Sequence, residues 1–479
     1  MRTRTFLLAA TLTTGLLTAL PGSAAAAPSG LAGDFNGDGY RDIAVGASGA
    51  DVGSVQNAGA VVVLYGSSSG VSAAKKTVVT QNSTGVPGTA EFGDRFGNSL
   101  AAGDLNADGY ADLVVGSQYE SFGDRDGIGT ATVIWGGKSG LTGGSALPQP
   151  PATQLNEWGG HSSGVATGDF DGDGKTDVTV TGQSYTGLYK GPFARTGKPA
   201  SWTGVHELGS TYEVFAGDLT GDRTAERVYP FAVDGDEGGD ISYFRHDPAG
   251  EPDHPESDYA RIGLPKADGS VGAVGDIDGD GYGDLVLGDP QDPTSTKRTG
   301  HKGGQIAVWY GSENGPDPAQ KPTVIHQDTA GVPGAGESGD FFGSAVGVGD
   351  VNGDKFADVA VGAFDETNGT AKHSGSVTIL FGSATGLKGS GAKSYTQNTP
   401  GVPGSNEYGD AFGISVRLID LDKNGKADLV AGSGYENGHG AITVLRGSAS
   451  GLTTTGAKSF TAAGVSLKGS ADFGWVISQ

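Results

Sequence analysis

The chain has 479 residues, with 88 glycines and no cysteine, and its 55 acidic against 31 basic residues give a formal net charge of −24. A surface this acidic repels phosphate backbones, which argues against nucleic acid as a partner and favours cations. Without cysteine the fold cannot be held by disulfides, so stability has to come from a core or from bound ions.

The first 27 residues have the pattern of a secretory signal peptide. Arg2 and Arg4 precede an apolar run from Phe6 to Leu20, and small residues form an Ala-x-Ala cleavage pattern before Pro28. A membrane anchor is the alternative, but the run is shorter than the ~20 residues that a spanning helix needs. We therefore expect residues 1–27 to be removed and the mature protein to be secreted, extracellular and without a transmembrane anchor. Removal takes away two basic residues and no acidic one, which changes the charge from −24 to −26.

Three sequence elements recur along the rest of the chain. An acidic element, GDFNGDGYRDIAVGA in its first copy at 33–47, occurs seven times, with copies that begin at Asp34, Asp104, Asp169, Asp218, Asp276, Asp350 and Asp420. A second element alternates apolar and polar residues, as in GAVVVLYGSSSG, and a third, GVPGTAEFGDRFG, returns twice in similar form. Period-two alternation between glycine turns is typical of half-buried strands. Each unit therefore contains about four short strands and no convincing helix.

The two ends of the chain discriminate between a solenoid, a string of domains and a propeller. No Phe-Gly element precedes the first acidic loop, whereas the chain ends with ADFGWVISQ, in which Asp472, Phe473 and Gly474 match the missing element. The last strand therefore fits as the first strand of unit one, which favours a closed ring over the capped ends of a solenoid. We predict an all-β, seven-bladed β-propeller of about four-stranded blades, closed by the C-terminal strand and forming a single domain over residues 28–479.

The acidic element has the donor spacing of a calcium loop. In the first copy Asp34, Asn36 and Asp38 occupy positions 1, 3 and 5, Gly39 occupies position 6, and Asp42 occupies position 9. The glycine permits a tight bend, and position 7 can offer its backbone carbonyl. Oxygen donors without His or Cys select a hard cation, and the ~6 to 8 flexible ligands of Ca²⁺ fit better than the strict octahedron of Mg²⁺.

Two other interpretations compete with calcium. An EF-hand needs a bidentate Glu at position 12, where the seven copies carry only Val, Tyr, Leu or Ala. Asp and Asn also form Asx turns without a metal, but turn chemistry alone does not require carboxylates at positions 1, 5 and 9 together. We predict five or six calcium sites, and the ligands are Asp34, Asn36, Asp38, Tyr40, Asp42, Asp104, Asn106, Asp108, Tyr110, Asp112, Asp169, Asp171, Asp173, Lys175, Asp177, Asp276, Asp278, Asp280, Tyr282, Asp284, Asp350, Asn352, Asp354, Phe356, Asp358, Asp420, Asp422, Asn424, Lys426 and Asp428.

Two copies depart from the pattern at position 6. Lys355 replaces the glycine in the sixth copy and brings a positive charge close to its ligands. In the fourth copy Arg223 takes that place, Thr220 is at position 3 and Glu226 at position 9. We expect the fourth loop, which begins at Asp218, to be empty or weak.

Taken together, these elements resemble the FG-GAP repeat of integrin α-subunit head propellers and of secreted bacterial proteins. The features that match are Phe-Gly pairs such as Phe96-Gly97, the acidic loop, and Gly-Ala or Gly-Ser corners such as Gly46-Ala47. The resemblance covers essentially the whole mature chain, is weakest between about 180 and 265, and extends to the propeller of glycosylphosphatidylinositol-cleaving phospholipase D. It implies a seven-bladed propeller with calcium in the loop between the first two strands of some blades, opposite the main ligand surface.

No motif in the chain establishes catalysis. The pentapeptide GSSSG at 66–70 matches a nucleophile elbow, but the equivalent segments do not keep the central serine, so a turn is the better interpretation. We predict no catalytic residue and no cofactor site besides calcium. The favoured function is a secreted, monomeric, calcium-binding module for cell adhesion or for binding an extracellular protein or carbohydrate. Alternatives are an extracellular hydrolase or lyase acting on polysaccharide or lipid, and a structural component of a larger assembly.

The irregular stretch between 180 and 265 is rich in aromatic residues. They either form a stacking surface for sugars or peptides, or they fill the core of degenerate blades. The residues are Tyr185, Tyr189, Phe193, Trp202, Tyr212, Phe215, Tyr229, Phe231, Tyr243 and Phe244.

Overall fold

The computed structural model describes residues 29–121, 127–150, 160–182, 185–205, 213–230, 241–247, 258–265, 267–293 and 300–478. In these ranges the chain forms 27 β-strands in seven antiparallel sheets, and the helical content is a single 3₁₀ turn, Glu436–Gly438. The described part of the chain therefore contains no helix with the length and apolarity to cross a membrane. The prediction of an all-β, seven-bladed propeller is confirmed.

Strands follow one another across each blade in chain order. Blades 1 to 3 contain β1 (Ile43–Ala47), β2 (Ala60–Leu64), β3 (Lys76–Val79); β4 (Ser99–Gly103), β5 (Asp112–Ser117), β6 (Thr130–Trp135), β7 (Thr142–Ala146); and β8 (Gly164–Gly168), β9 (Asp177–Thr181), β10 (Thr186–Lys190), β11 (Ser201–Val205). Blades 4 and 5 contain β12 (Phe215–Gly217), β13 (Glu226–Pro230), β14 (Ile241–His246), β15 (Tyr259–Leu264); and β16 (Val271–Gly275), β17 (Asp284–Asp289), β18 (Gln305–Trp309), β19 (Thr323–Ile325). Blades 6 and 7 contain β20 (Phe342–Gly349), β21 (Asp358–Ala363), β22 (Ser376–Leu380), β23 (Lys393–Tyr395); and β24 (Phe412–Ile419), β25 (Asp428–Ser433), β26 (Ala441–Ser448), β27 (Gly451–Thr461).

The C-terminal segment completes blade 1, as the sequence predicted. Ile477 forms an antiparallel bridge with Val45 of β1. The N–H of Gly46 donates to the carbonyl of Val476 at 2.8 Å, and the N–H of Ser478 donates to the carbonyl of Ala44 at 2.9 Å. The ring is therefore closed by main-chain pairing between its two ends.

Apolar cores lie between neighbouring blades. The cluster that joins blades 7 and 1 contains Val45, Ile442 and Phe473, and the cluster that joins blades 1 and 2 contains Val61 and Phe96. The phenylalanine of each Phe-Gly pair is fully buried in such a cluster. Burying a side chain of this size stabilises the fold by about 1.5–3 kcal/mol relative to leaving it exposed. Each blade is therefore held chiefly by its neighbours.

The pairing of a Phe-Gly with a Gly-Ala corner has a steric cause. Gly97 has φ +93°, and a Cβ there would lie 2.7 Å from the carbonyl oxygen of Ala60. A Cβ on Gly46 of the preceding blade would lie 2.3 Å from the carbonyl oxygen of Gly97. The two glycines meet backbone to backbone across the blade boundary, where no side chain fits.

Antiparallel strands place the repeated loops at two opposite ends of the propeller. The acidic loops join the first strand of a blade to its second, and we call their end the acidic face. The loops from second to third strand, such as 48–59, and the crossovers between blades, such as 80–98, lie at the other end, the crossover face.

Candidate metal centres

All seven acidic loops fold into the same tight turn. In the first, Asp34 accepts hydrogen bonds from the N–H groups of Asp38 at 3.2 Å and Gly39 at 2.8 Å. Asn36 accepts from the N–H of Asp38 at 2.8 Å, and Asp38 accepts from that of Tyr40 at 3.0 Å. These Asx bonds occupy only some of the lone pairs of each side-chain oxygen, because a carboxylate offers about four lone-pair sites. The remaining lone pairs are available to a cation.

The carboxylate at position 9 links the loop to the third strand of its blade. Asp42 is buried, with one oxygen accepting from the N–H of Phe35 at 2.9 Å and the other from that of Gly66 at 2.8 Å. Burial raises the pKa of Asp42 to about 8, and the nearby carboxylates of Asp34 and Asp38 add to the rise. The equivalent Asp112, Asp177, Asp284 and Asp358 have pKa values raised to about 7 by the same main cause. A cation would relieve this cost by neutralising the ionised form.

Three carboxylate oxygens lie close together in each of the third and fifth loops. In the third, one oxygen from each of Asp169, Asp171 and Asp177 lies within 4.8 Å of the others, and in the fifth the same holds for Asp276, Asp278 and Asp284. These are positions 1, 3 and 9 of the predicted calcium loop. The donor set consists of hard oxygens, so both loops fit Ca²⁺.

Neighbouring loops are also joined around the ring. The carbonyl of Asp34 accepts from the N–H of Ala111 in the second loop at 3.0 Å, and that of Asp276 accepts from the N–H of Ala357 in the sixth at 2.8 Å. A cation that orders one loop therefore also supports the next.

The third strand places a variable side chain opposite position 9, which separates the loops into two kinds. An aromatic residue occupies this place in blades 1, 2, 5 and 6, and a basic residue in blades 3, 4 and 7. The aromatic residues are Tyr65, Trp135, Tyr310 and Phe381, and the basic residues are Lys190, Arg245 and Arg446.

Two of these basic residues bind acids of their own loop. Lys190 pairs with Asp171 at 3.1 Å and also with Asp258 at 3.5 Å. Arg446 donates to Asp422, the position-3 acid of the seventh loop. A further cation, Arg195, reaches Asp108 of the second loop at 2.7 Å from outside that blade. None of the three pairs is predicted from the sequence, although Lys190 and Arg446 stand directly before a glycine at the end of the third strand.

The fourth and sixth loops keep the turn despite their substitutions. Arg223 and Lys355 adopt φ +74° and +78°, and their N–H groups donate to position 1 at 2.8 Å as the glycines do. In the fourth loop the hydroxyl of Thr220 donates to Glu226 at 3.3 Å, while one buried oxygen of Asp218 has no hydrogen-bond partner. At position 3, where the other loops carry Asp or Asn, the fourth loop thus has a hydroxyl that donates to its own position-9 carboxylate.

The crossover face carries a patch of exposed aromatic side chains. Phe92 and Tyr408 are 75 and 77% exposed, and three further exposed aromatics of this face are Tyr119, Tyr435 and Trp475. Tyr435 contacts Trp475 edge to face at a centroid distance of 5.3 Å, and Tyr119 lies 5.8 Å from the guanidinium of Arg95. We call Phe92, Tyr119, Tyr408, Tyr435 and Trp475 the aromatic patch, which extends over blades 7, 1 and 2.

The irregular stretch between 180 and 265 is different. Seven of its ten aromatic residues are buried, which favours the interpretation as core, and Trp202 is exposed on an outer strand. Tyr212 and Phe231 lie outside the described residues.

The central channel is lined mainly by small and aliphatic residues of the innermost strands. Two cavities of about 520 and 300 Å³ lie along it. Arg417 donates to the carbonyls of Ser478 at 3.3 Å and Val416 at 3.3 Å. Glu213 borders solvent in the channel, yet the dense wall around it raises its pKa to about 7, with Arg417 opposing the rise. Among the described lining residues, neither a His nor a Cys accompanies this pair.

The repeats of this chain match a family model and parts of known proteins. The family model "FG-GAP repeat" matches residues 26–64, 96–134, 162–192, 269–309, 342–380 and 412–445. Human integrin alpha-6 is 33% identical over 182 residues, which are 37% of this chain and 14% of that protein. Rat phosphatidylinositol-glycan-specific phospholipase D is 31% identical over 189 residues, 38% of this chain and 20% of that protein. The chain thus aligns with a fifth or less of the length of these two relatives.

Among solved structures, an Agrocybe aegerita lectin that recognises non-reducing terminal N-acetylglucosamine matches 76% of this chain and 83% of its own. Its TM-score is 0.40 at 16% identity, which is too low to carry an argument about function. The repeat matches, by contrast, coincide with the acidic loops of six blades, begin at the Phe-Gly pair in three of them, and omit the fourth loop. The chain belongs to the FG-GAP repeat proteins.

Proposed function

We propose that this protein is a secreted, calcium-stabilised propeller that binds an extracellular protein or carbohydrate through its crossover face. The observation that carries the proposal is the aromatic patch, whose side chains lie in the open at the end opposite the acidic loops. Five exposed aromatic side chains on one face favour a binding surface, because aromatic residues are enriched among those that dominate binding energy. Two of them, Tyr435 and Trp475, are in direct contact.

Calcium has a structural role in this proposal. It occupies the acidic loops, neutralises their buried carboxylates and fixes the turn that begins the second strand of each blade. The loops of blades 1, 5 and 6, which have an aromatic residue opposite position 9, bind it more tightly than those in which Lys190, Arg195 or Arg446 already pairs with an acid. Affinities in the ~10⁻⁴ to 10⁻³ M range of extracellular modules would suffice.

The calcium part is tested by thermal unfolding in excess Ca²⁺, in excess Mg²⁺ and after chelation. We expect a rise in Tm that is specific to Ca²⁺, because an ion that binds only the native state stabilises it by about 2.7 kcal/mol per site at 100 times its Kd. Equal Tm values in all three conditions would overturn the calcium proposal.

The binding part is tested on arrays of glycans and of secreted proteins, probed in Ca²⁺. The double variant F92A/Y408A is expected to reduce binding at least about tenfold, since exposed aromatic anchors commonly contribute more than ~1 kcal/mol each. W202A, which removes an exposed aromatic from an outer strand, is the matched control and should bind like the wild type. Equal loss in both variants would contradict a binding face at this end.

A hydrolase or lyase finds less support. The cavity that contains Glu213 and Arg417 is lined by aliphatic, hydroxyl and aromatic side chains, and neither a His nor a Cys is among its described residues. Secretion is proposed from residues 1–27 alone, which lie outside the described residues, and N-terminal mass spectrometry of the exported protein would test cleavage after Ala27.

A further inference from the structure

Two opposite charges line the central channel at places where other blades carry uncharged residues. Arg417 stands three residues before the first acid of its loop, and the equivalent residues of blades 2 to 6 are Ala101, Ala166, Phe215, Ala273 and Gly347. Glu213 stands five residues before Asp218, and the equivalent residues of blades 2, 3, 5, 6 and 7 are Ser99, Gly164, Val271, Ala345 and Ser415. The ring therefore does not need a charge at either place, and the two side chains are specific features of this channel.

Glu213 and Arg417 face the same cavity without binding each other. Both line the cavity of about 300 Å³ at the crossover end of the channel, and Arg417 also borders the cavity of about 520 Å³ beside it. Neither side chain belongs to an ion pair between described residues. The cavity thus presents an acid and a base that are not neutralised by direct contact.

The guanidinium of Arg417 is held in place by main-chain carbonyls. Its Nε donates to Ser478 at 3.3 Å, and its Nη1 donates to Val416 at 3.3 Å and to Val346 at 3.5 Å. These carbonyls come from the C-terminal segment of blade 1 and from the innermost strands of blades 7 and 6. Nη2 has no acceptor among the described residues, so a fixed, charged donor remains for a ligand, and fixing it in advance lowers the entropy cost of binding.

Three serines of the cavity wall add acceptors. The hydroxyls of Ser163, Ser344 and Ser415 donate to backbone carbonyls at 3.4, 3.3 and 2.6 Å. Each hydroxyl has one proton and two lone pairs, so the oxygens can still accept. The wall therefore offers acceptors to a ligand N–H besides the carboxylate of Glu213.

The two charges together restrict which ligand fits. Withdrawal from water raises the pKa of Glu213 and lowers the pKa of Arg417, although the charge of each group partly offsets the effect on the other. A simple anion would neutralise Arg417 but would be repelled by ionised Glu213, and a simple cation would meet the reverse problem. A molecule that carries both charges complements both side chains.

We propose that this cavity binds a small zwitterion of the free α-amino acid class. The ligand carboxylate accepts from Nη2 of Arg417, and the ligand ammonium donates to Glu213 and to the serine oxygens. Leu100, Val165 and Ile414 in the wall favour an apolar side chain on the ligand. The volume lies at the lower end of the roughly 300–1,000 Å³ of small-molecule sites. This site goes beyond the calcium-stabilised binding function and does not depend on it.

Calorimetric titration of L-leucine into the purified protein in excess Ca²⁺ tests the proposal. Two analogues of the same shape serve as probes: 4-methylpentanoate lacks the ammonium and 3-methylbutylamine lacks the carboxylate. We expect one leucine per chain, and at least about tenfold weaker binding of either analogue, because each loses a charged hydrogen bond. This comparison uses only the wild-type protein, so it does not depend on how any variant folds.

The variants R417A and E213S introduce residues that equivalent places in other blades already carry. Each should weaken leucine binding at least about tenfold. R417A should also bind leucine and 3-methylbutylamine equally, and E213S should bind leucine and 4-methylpentanoate equally, since each variant removes the group that distinguishes the two.

K372A and E407S are the matched controls, because they remove exposed charges of the same signs from the crossover face outside the cavity. Both should bind leucine like the wild type. The proposal would be overturned if none of the twenty free amino acids binds. It would also be overturned if 4-methylpentanoate binds the wild type as tightly as leucine does, because the cavity would then be a simple anion site.

Discussion

The fifth and seventh acidic loops carry aspartates at positions 1, 3 and 9, yet they differ in what surrounds those aspartates. In the fifth, the carboxylates of Asp276, Asp278 and Asp284 converge, and Tyr310 lies opposite position 9. In the seventh, Arg446 occupies the place of Tyr310 and binds Asp422. A protein cation can thus take the place that a metal would fill. The loop motif alone therefore does not decide whether an ion binds, because the neighbouring strand contributes to the site.

The largest effect is expected from Y310R, which gives the fifth loop the residue of the seventh. A guanidinium beside Asp278 should displace Ca²⁺ from this loop and remove its contribution, about 2.7 kcal/mol of calcium-dependent stability at 100 times the Kd. Calcium stoichiometry by equilibrium dialysis should fall by one.

Y310F serves as the control for this variant, because it removes only the hydroxyl that accepts from the N–H of Leu387 at 2.9 Å. It should lose about 1 kcal/mol in Ca²⁺ and in chelator alike. An unchanged calcium stoichiometry in Y310R would contradict the claim that the residue opposite position 9 decides whether a loop binds Ca²⁺.

The reverse variant, R446Y, should open the seventh loop to calcium. Releasing Asp422 restores a position-3 donor, so the calcium count should rise by one. The net gain in Ca²⁺ is smaller than the loss in Y310R, because the variant also gives up a partly exposed ion pair, which contributes about 0–1 kcal/mol. In chelator R446Y should unfold at a lower temperature than the wild type, and a higher one would contradict the role given to Arg446.

Position 6 offers a smaller test of the turn itself. Gly281 in the fifth loop has φ +94° with no atom within 4 Å of a Cβ placed there, so G281A isolates backbone strain and should cost about 1 kcal/mol. In the sixth loop K355G should raise the free energy of unfolding by less than about 1 kcal/mol, because glycine also raises the entropy of the unfolded chain. Denaturant titration in chelator measures both, and a destabilised K355G would show that Lys355 contributes more than strain.

A last, pH-dependent effect concerns a carboxylate outside the calcium proposal, on the crossover face. Burial and the charge of Asp94 raise the pKa of Glu120 to about 7, and the carboxyl is bonded to Gln81. The folded state therefore holds this proton up to about pH 7, whereas the unfolded chain releases it near pH 4.5, the ordinary pKa of a glutamate. Stability from this group is full below pH 4.5 and is lost as pH rises to 7. E120Q should flatten that part of the Tm profile equally with and without Ca²⁺.

The sequence was sufficient to predict the elements whose cause is local. Asp34, Gly39 and Asp42 define a turn by their own chemistry, and the Phe473-Gly474 pair indicated ring closure because it lacked a loop to follow it. The sequence could not show that Arg446 reaches Asp422, since that contact depends on the register between β25 and β26. The aromatic patch was missed because its members are far apart in sequence and are assembled by neighbouring blades.

Closure of the ring also constrains how the chain reaches its native state. The contact of Ala44 with Ser478 joins residues 434 positions apart, and bringing such ends together costs about 5 kcal/mol of chain entropy when the intervening chain is unstructured. If the intervening blades form first, they hold the ends near each other and most of that cost is already met. Blade 1 then closes last and, by the same pairing, opens first. Its unpaired edge is the point at which a partly synthesised or partly unfolded molecule would offer a strand to another chain.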